Sequence, residues 1–123
     1  MMSSVSIIIV NYNYAAFLAE AIESALAQDY LATEVVLIDD GSTDNSLEIA
    51  ARYPITIMTK PNGGLCKARN SAALNVDSDY VLFLDADDRL TPNAVSLLMT
   101  ALGSAGSETA YAYGQMRYFG LRN

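Results

Sequence analysis

The chain has 123 residues, of which 52% are hydrophobic, so that it fits one folded domain rather than a disordered chain. Its formal net charge of −7 argues against nucleic acid as a partner, because the binding of phosphate backbones needs clustered Lys and Arg. With no histidine and a single cysteine, Cys66, the sequence excludes His-dependent triads, histidine metal ligands and an internal disulfide.

Strand-like and helix-like segments alternate along the first half of the sequence. The β-branched run from Val5 to Val10 predicts a first strand, and Asn13 stands where the N-cap of a following helix is expected. A second strand is predicted from Glu34 to Ile38, and Ser42 or Thr43 is expected to cap a second helix. The apolar positions of the two helices are Phe17, Leu18, Ala21, Ile22, Ala25 and Leu26, then Leu47, Ala50 and Ala51.

The next segments repeat this alternation. Residues 55–58 predict a third strand and residues 61–64 a turn. The run from Tyr80 to Leu84 does not alternate with polar residues, which indicates a fourth strand buried on both faces. Between the turn and this strand lies a third predicted helix, with its apolar positions at Leu65, Ala68 and Ala72.

One more helix and one more strand are predicted after the fourth strand. Thr91 as N-cap and Pro92 at the first helical position mark the start of a fourth helix. Residues 103–107 have the composition of a loop, and the segment from Ala110 to Phe119 predicts a fifth strand rich in tyrosine. The apolar positions of the helix are Val95, Leu98 and Leu102.

This order of elements is typical of the α/β class, and we expect a doubly wound, mostly parallel sheet with helices on both faces. In such sheets ligands bind beyond the carboxyl ends of the strands. Three polar segments should meet at that rim, namely residues 11–13, 39–42 and 85–88. The expected pocket contains at least five carboxylates, and their mutual repulsion indicates that a positive partner belongs there.

The Asp-x-Asp of Asp85 and Asp87 is the strongest candidate for chemistry at the rim. The sequence has neither a G-x-x-x-x-G-K-[ST] phosphate loop nor a G-x-G-x-x-G fingerprint after the first strand. Mg²⁺ and Mn²⁺ take oxygen ligands, and two carboxylates in a tight turn can hold one ion that also binds a diphosphate. The alternative is that Asp85, Asp87 and Asp88 only form a turn ahead of a helix.

Other polar segments carry two interpretations each. Asp39 and Asp40 are either part of a helix-capping turn or acceptors of hydrogen bonds from a nucleoside. Tyr12 either stacks on a base or is half-buried.

The turn at residues 62–64 offers free N–H groups to an anion at the start of a helix. Two cations one turn further on, Lys67 and Arg69, either offset phosphate charge or face water, and Cys66 is best explained by packing.

Four of these segments together resemble the N-terminal, nucleotide-sugar-binding half of the family 2 glycosyltransferases, which have the GT-A fold. The order and spacing of the segments match the family along nearly the whole chain. The matching segments are Val5–Asn13, Val36–Asp44, Asn62–Gly64 with Ala68–Asn70, and Phe83–Asp88.

The resemblance implies roles for single residues in binding the nucleotide. Tyr12 would lie against the base, most often uracil, Asp40 would bind the edge of the base, and Asp39 would support the turn. Lys67 and Arg69 would lie near the nucleotide.

The resemblance also implies a metal site. Asp87 would be the direct ligand of Mn²⁺ or Mg²⁺. Asp85 would lie near the ribose or a metal-bound water, as the second member of the metal-binding pair. Asp88 has no role that the resemblance fixes.

The implied reaction is inverting transfer of a sugar from a nucleoside-diphosphate sugar to an unknown acceptor. Family members carry a second half with an acidic general base, so we expect residues 1–123 to be the truncated donor-binding portion. The base would then lie beyond Asn123, and this chain alone would be inactive. Self-association through the predicted C-terminal strand is expected, because its Tyr and Phe side chains would form an exposed edge.

Two other functions are compatible with these residues. One is a non-catalytic nucleotide-binding module, which would need no second half. The other is a sugar nucleotidyltransferase, but such enzymes carry a glycine-rich basic segment after the first strand, and residues 11–14 have no such charge.

The sequence predicts a cytoplasmic protein. No apolar run reaches the roughly 18 to 20 residues of a membrane span, so we expect no membrane segment in this chain. The first ten residues lack the basic and long apolar regions of a signal peptide. A peripheral membrane association of a longer parent protein is compatible with this sequence.

Overall fold

The computed structural model describes residues 2–105, and these residues form four parallel strands with four helices. The order of the strands in the sheet is β3-β2-β1-β4. This arrangement confirms the predicted α/β class with a parallel sheet. In chain order the elements are β1 (Val5–Asn11), α1 (Ala15–Leu26), β2 (Thr33–Asp39), α2 (Ser46–Ala50), β3 (Thr56–Thr59), α3 (Leu65–Leu74), β4 (Tyr80–Asp85) and α4 (Ala94–Ala105).

Both faces of the central strand β1 are buried, which explains its continuous apolar run. Ile7 and Ile9 pack in the same cluster as the buried side of α1 and as Val95 of α4. Ile8 and Val10, on the opposite face, pack against α3. The sheet is therefore covered by helices on both faces, as expected.

The strand order places a topological switch point between β1 and β4. The chain moves outward from β1 through β2 to β3, and then returns by way of α3 to pair β4 with the other side of β1. Ligands of doubly wound sheets bind at the carboxyl ends of the strands where the direction of winding reverses. The pairing of Asn11 with Asp39, and of Val10 with Asp85, brings the three strand ends to one rim.

The expectation that β4 is buried on both faces is wrong for the described residues. Leu84 is buried, but Val81 and Phe83 on the other face are 41% and 40% exposed. The reason is that α3 packs over β1 and β2, which leaves this face of β4 only partly covered.

The predicted beginnings of the first two helices are also corrected. Helix α1 begins after Tyr14, not after Asn13, and Asn13 adopts a positive φ of 57° with its side chain directed to the next loop. Helix α2 begins at Ser46, and neither Ser42 nor Thr43 caps it. Five positions expected on apolar stripes are exposed, namely Phe17, Leu26, Leu47, Ala51 and Leu65.

Helix α4 begins and ends later than predicted. Thr91 and Pro92 belong to a turn, in which the N–H of Ala94 donates to the carbonyl of Thr91 at 3.1 Å. The helix then runs through Gly103 to Ala105, so the loop expected from residue 103 does not begin there. The predicted fifth strand lies outside the described residues. None of the helices within residues 2–105 is long and apolar enough to cross a membrane.

Candidate functional site

The loops after β1 and β2 are joined by hydrogen bonds that run in both directions. The Oδ1 atom of Asn13 accepts the N–H groups of Thr43 and Asp44 at 2.7 and 3.2 Å. In return, Oδ2 of Asp44 accepts the N–H of Ala15 at the start of α1, at 3.0 Å. The bond from Ala15 satisfies a backbone donor that a helix start leaves unpaired. These bonds fix the loop from which the exposed Tyr12 projects.

Asp39 is an internal carboxylate that shapes the turn after β2. It is buried, and its Oδ1 atom accepts from Nδ2 of Asn11 at 2.9 Å and from the hydroxyl of Ser42 at 2.7 Å. Its Oδ2 atom accepts the N–H of Ser42 at 2.9 Å. Among residues 2–105, Oδ1 of the buried Asn11 has no hydrogen-bond partner. A buried polar atom of this kind marks a place for a water or ligand donor.

Asp40 holds the turn that precedes α3. Its carboxylate is 1% exposed and forms an ion pair with Nζ of Lys60 at 2.7 Å. The N–H groups of Gly63 and Gly64 donate to it at 3.0 Å each, and Nδ2 of Asn62 donates at 3.3 Å. Burial by itself would raise the pKa of Asp40, but the bonds from Lys60, Gly63 and Gly64 and the charge of Lys60 outweigh it and lower that pKa. Asp40 is therefore an anion with four donors around it.

Lys60 is a site residue that sequence reasoning missed. It follows directly after β3, and its Nζ atom also donates to the carbonyl of Pro61 at 2.6 Å. The register between β2 and β3 brings the two charges together. Thr59 pairs with Asp39, so the next residues on the two strands are Lys60 and Asp40. Without knowing that β2 and β3 are neighbours, the pairing of these two charges could not be inferred.

The residues after β4 form a tight acidic turn at the switch point. The N–H of Asp88 donates to the carbonyl of Asp85 at 2.9 Å. Carboxylate oxygens of Asp85, Asp87 and Asp88 all lie within 4.8 Å of one another. Partial burial raises the pKa of Asp88, and the charges of Asp87 and Asp85 raise it further. Three hard oxygen donors at this spacing fit Mg²⁺ or Mn²⁺.

A positive partner for this turn is supplied by α3. Nη2 of Arg69 donates to Oδ1 of Asp85 at 2.9 Å, so that one of the three carboxylates is paired within the described part of the chain. Lys67 is exposed and lies near the other turn, the one that precedes α3, with its Cδ atom 3.4 Å from where a Cβ would stand on Gly63.

The five carboxylates expected at the rim differ in their exposure and in their bonds. Asp39 and Asp40 are buried and bonded by neighbouring loops, whereas the side chains of Asp85, Asp87 and Asp88 are partly or largely exposed. The rim thus combines an exposed aromatic ring at Tyr12 and an acidic turn beside Arg69.

Comparisons with known proteins identify relatives of this chain. A family model described as glycosyl transferase family 2 matches residues 6–120. The chain is 41% identical over 100 residues to the chondroitin synthase of Pasteurella multocida (strain Pm70). This matched region covers 77% of this chain and 10% of the synthase. Among solved structures, S. aureus TarS in complex with UDP superposes with a TM-score of 0.75 at 28% identity, over 82% of this chain and 32% of that one. The mannosyltransferase PcManGT from Pyrobaculum calidifontis, in complex with GDP-Man and Mn²⁺, superposes with a TM-score of 0.67 at 26% identity. This match covers 77% of this chain and 32% of that one.

The chain spans about a tenth of the length of this synthase and about a third of each solved chain. Its parallel sheet with helices on both faces matches that of the GT-A glycosyltransferases. The family model covers all four strands, the rim and the acidic turn. The chain therefore belongs to glycosyltransferase family 2.

Proposed function

We propose that this chain forms the donor-binding part of a metal-dependent, inverting glycosyltransferase that uses a nucleoside-diphosphate sugar, with uracil as the base. The observation that carries the proposal is the cluster of Asp85, Asp87 and Asp88 oxygens within 4.8 Å at the switch point of the sheet. The complexes of TarS with UDP and of PcManGT with GDP-Man and Mn²⁺ support it, because both proteins share this fold.

The nucleoside would occupy the part of the rim formed by the loops after β1 and β2. Tyr12 is exposed and offers its ring to the face of the base. Asp40 would accept a hydrogen bond from the edge of the base in place of its longest bond, the one from Asn62 at 3.3 Å. Asp39 would contribute indirectly, since its carboxylate is bonded to Asn11 and to the turn at Ser42.

The diphosphate would lie between the acidic turn and the start of α3. Asp87 is the proposed direct ligand of Mn²⁺ or Mg²⁺, and Asp85 would bind the ribose or a metal-bound water. When bound, such an ion supplies positive charge to the departing diphosphate. Arg69 and Lys67 would add positive charge from α3.

The general base is proposed to lie outside these 123 residues. Transfer needs a carboxylate that deprotonates the acceptor hydroxyl within reach of the anomeric carbon. After Asp88 the only acidic residue of the chain is Glu108. We therefore propose that residues 1–123 bind the donor without transferring the sugar. Incubation with a radiolabelled UDP-sugar and candidate acceptors should show no product, and turnover by this chain would contradict this part of the proposal.

Calorimetry with UDP tests the proposed binding function. We expect heat of binding with Mn²⁺ present and none after EDTA is added, because a diphosphate is repelled by the acidic turn unless an ion lies between them. The substitution Asp87→Asn should abolish the metal-dependent binding. Asp77→Asn is the matched control, since it removes the same charge from an exposed position near the amino end of β4. Equal binding with and without EDTA would contradict the proposal.

A further inference from the structure

Arg69 is held at the acidic turn by the way in which α3 is anchored. The neighbouring Ala68 is buried in the cluster that also contains Ile8 and Val10 of β1. The first turn of α3 follows Gly64, whose N–H is bonded to Asp40. With α3 fixed at both points, Nη2 of Arg69 reaches Oδ1 of Asp85 at 2.9 Å.

A divalent cation that binds at Asp85, directly or through a bound water, would compete with the guanidinium of Arg69 for this carboxylate. Asp85 is one of the three residues whose oxygens lie within 4.8 Å of one another, and the bond from Arg69 occupies one of its two oxygens. Arg69 cannot give up its charge by deprotonation, so a cation can displace it only by moving it.

The ion pair is weak enough to exchange. The side chains of Arg69 and Asp85 are 34% and 44% exposed, so water and salt screen their attraction. An ion pair as exposed as this one changes an equilibrium constant by up to about fivefold. The combined binding of a divalent cation and a diphosphate changes it by more.

We propose that Arg69 is the resident counter-ion of the acidic turn, and that it leaves Asp85 for the diphosphate when metal and nucleotide bind. This inference rests on the proposed donor-binding function and assigns Arg69 a role in coupling the two ligands. The coupling is positive, because the metal ion releases the guanidinium that the diphosphate then binds. By linkage, the diphosphate favours metal binding to the same extent.

Removing the charge of Arg69 should change the affinities for Mn²⁺ and for UDP in opposite directions. In Arg69→Gln, Mn²⁺ alone should bind about threefold more tightly, since its competitor for Asp85 is gone. UDP at saturating Mn²⁺ should bind about tenfold more weakly, since a charge-assisted bond to phosphate is lost. A residue that only stabilised the fold would weaken both equilibria.

The experiment measures Mn²⁺ binding alone, by electron paramagnetic resonance of the free ion, and UDP binding by calorimetry. It uses the 123-residue wild-type chain, Arg69→Gln and Arg69→Lys, with circular dichroism to confirm that each is folded. Arg69→Lys keeps the charge and should bind Mn²⁺ alone within about twofold of wild type. Arg52→Gln is the matched control, because it removes one Arg charge from an exposed position ahead of the amino end of β3.

Opposite shifts in Arg69→Gln, with neither shift in Arg52→Gln, are the expected result. Unchanged or weaker binding of Mn²⁺ alone by a folded Arg69→Gln would overturn the role of Arg69, even if the wild type binds UDP with Mn²⁺. A wild-type chain that shows no Mn²⁺-dependent binding of UDP would instead overturn the donor-binding function on which the inference rests.

Discussion

Asn13 and Asp44 each supply the acceptor that the other's loop needs. Oδ1 of Asn13 accepts the N–H of Asp44, and Oδ2 of Asp44 accepts the N–H of Ala15 next to the Asn13 loop. Oδ1 of Asp44 also accepts the N–H of Ser46, so one carboxylate serves the first turns of α1 and α2. The loop that carries Tyr12 is therefore positioned by a side chain from a different βα unit.

The substitution Asp44→Ala should lower the free energy of unfolding by about 1 to 2 kcal/mol, because it removes the acceptor at two helix starts. Urea unfolding measures this change. Asn45→Ala is the matched control, since Asn45 is the N-cap of α2 but makes no capping bond through its side chain. It should change stability by no more than about 0.5 kcal/mol. Equal losses in the two variants would contradict the capping role of Asp44.

The substitution Lys60→Met should cost about 1 to 3 kcal/mol, because it leaves the buried carboxylate of Asp40 without its ion pair. The N–H donors of Gly63 and Gly64 would remain, so the turn should loosen without unfolding the chain. Thermal unfolding checks this prediction. Lys67→Met removes the same charge from an exposed position and should leave the melting temperature almost unchanged. A Lys60→Met variant as stable as Lys67→Met would show that the ion pair does not hold the turn.

Replacement by alanine should change the stability of the chain in opposite directions at two glycines, Gly41 and Gly103. Gly41 has a φ of +77°, and a Cβ there would stand 2.7 Å from the backbone nitrogen of Asn62. Gly41→Ala should therefore destabilise the chain by more than about 1 kcal/mol. Gly103 lies inside α4 with nothing within 4 Å of its Cβ position, so Gly103→Ala should stabilise by about 0.5 to 1 kcal/mol. Urea unfolding of both variants would contradict this account if the two changes had the same sign.

The stability of the chain should depend on pH through Asp40 and Asp44. Partial desolvation would raise the pKa of each, but hydrogen bonds and, for Asp40, the charge of Lys60 outweigh it and lower the pKa from its ordinary value of 3.8. A carboxyl with a lower pKa in the folded state contributes stability that is present above the unfolded value and is lost as the pH falls through the folded value. The free energy of unfolding should therefore fall as the pH is lowered below about 4.

Urea unfolding at a series of pH values measures this loss. The variant Asp40→Asn should lose less stability between pH 5 and pH 2 than the wild type, because one titrating group is gone. Asp77→Asn is the control for the change of charge. An identical pH dependence in Asp40→Asn and the wild type would mean that Asp40 does not contribute.

The strands and the acidic turn could be predicted from the sequence because both depend on local patterns. The β-branched run of β1 and the Asp residues after β4 carry their meaning in a few adjacent positions. The pairing of strand ends at one rim then followed from the general geometry of parallel sheets.

The remaining features depend on contacts between distant segments. Asn13 was expected to cap its own helix, but it bonds to residues 43 and 44, and that choice is visible only when β1 and β2 are neighbours. Lys60 was missed for the same reason, and Arg69 was recognised as a cation without its partner Asp85. The exposure of Phe83 depends on where α3 packs, which the apolar run of β4 does not indicate.

Asp87 is proposed to belong to a metal site that holds a nucleoside diphosphate. The most direct test is a crystal of the chain grown with UDP and Mn²⁺, with diffraction data collected at the manganese absorption edge. We expect one anomalous peak at a coordination distance of about 2.0 to 2.6 Å from a carboxylate oxygen of Asp87, with UDP phosphate oxygens on the same ion. UDP bound at the rim with no manganese peak at Asp87 would contradict it.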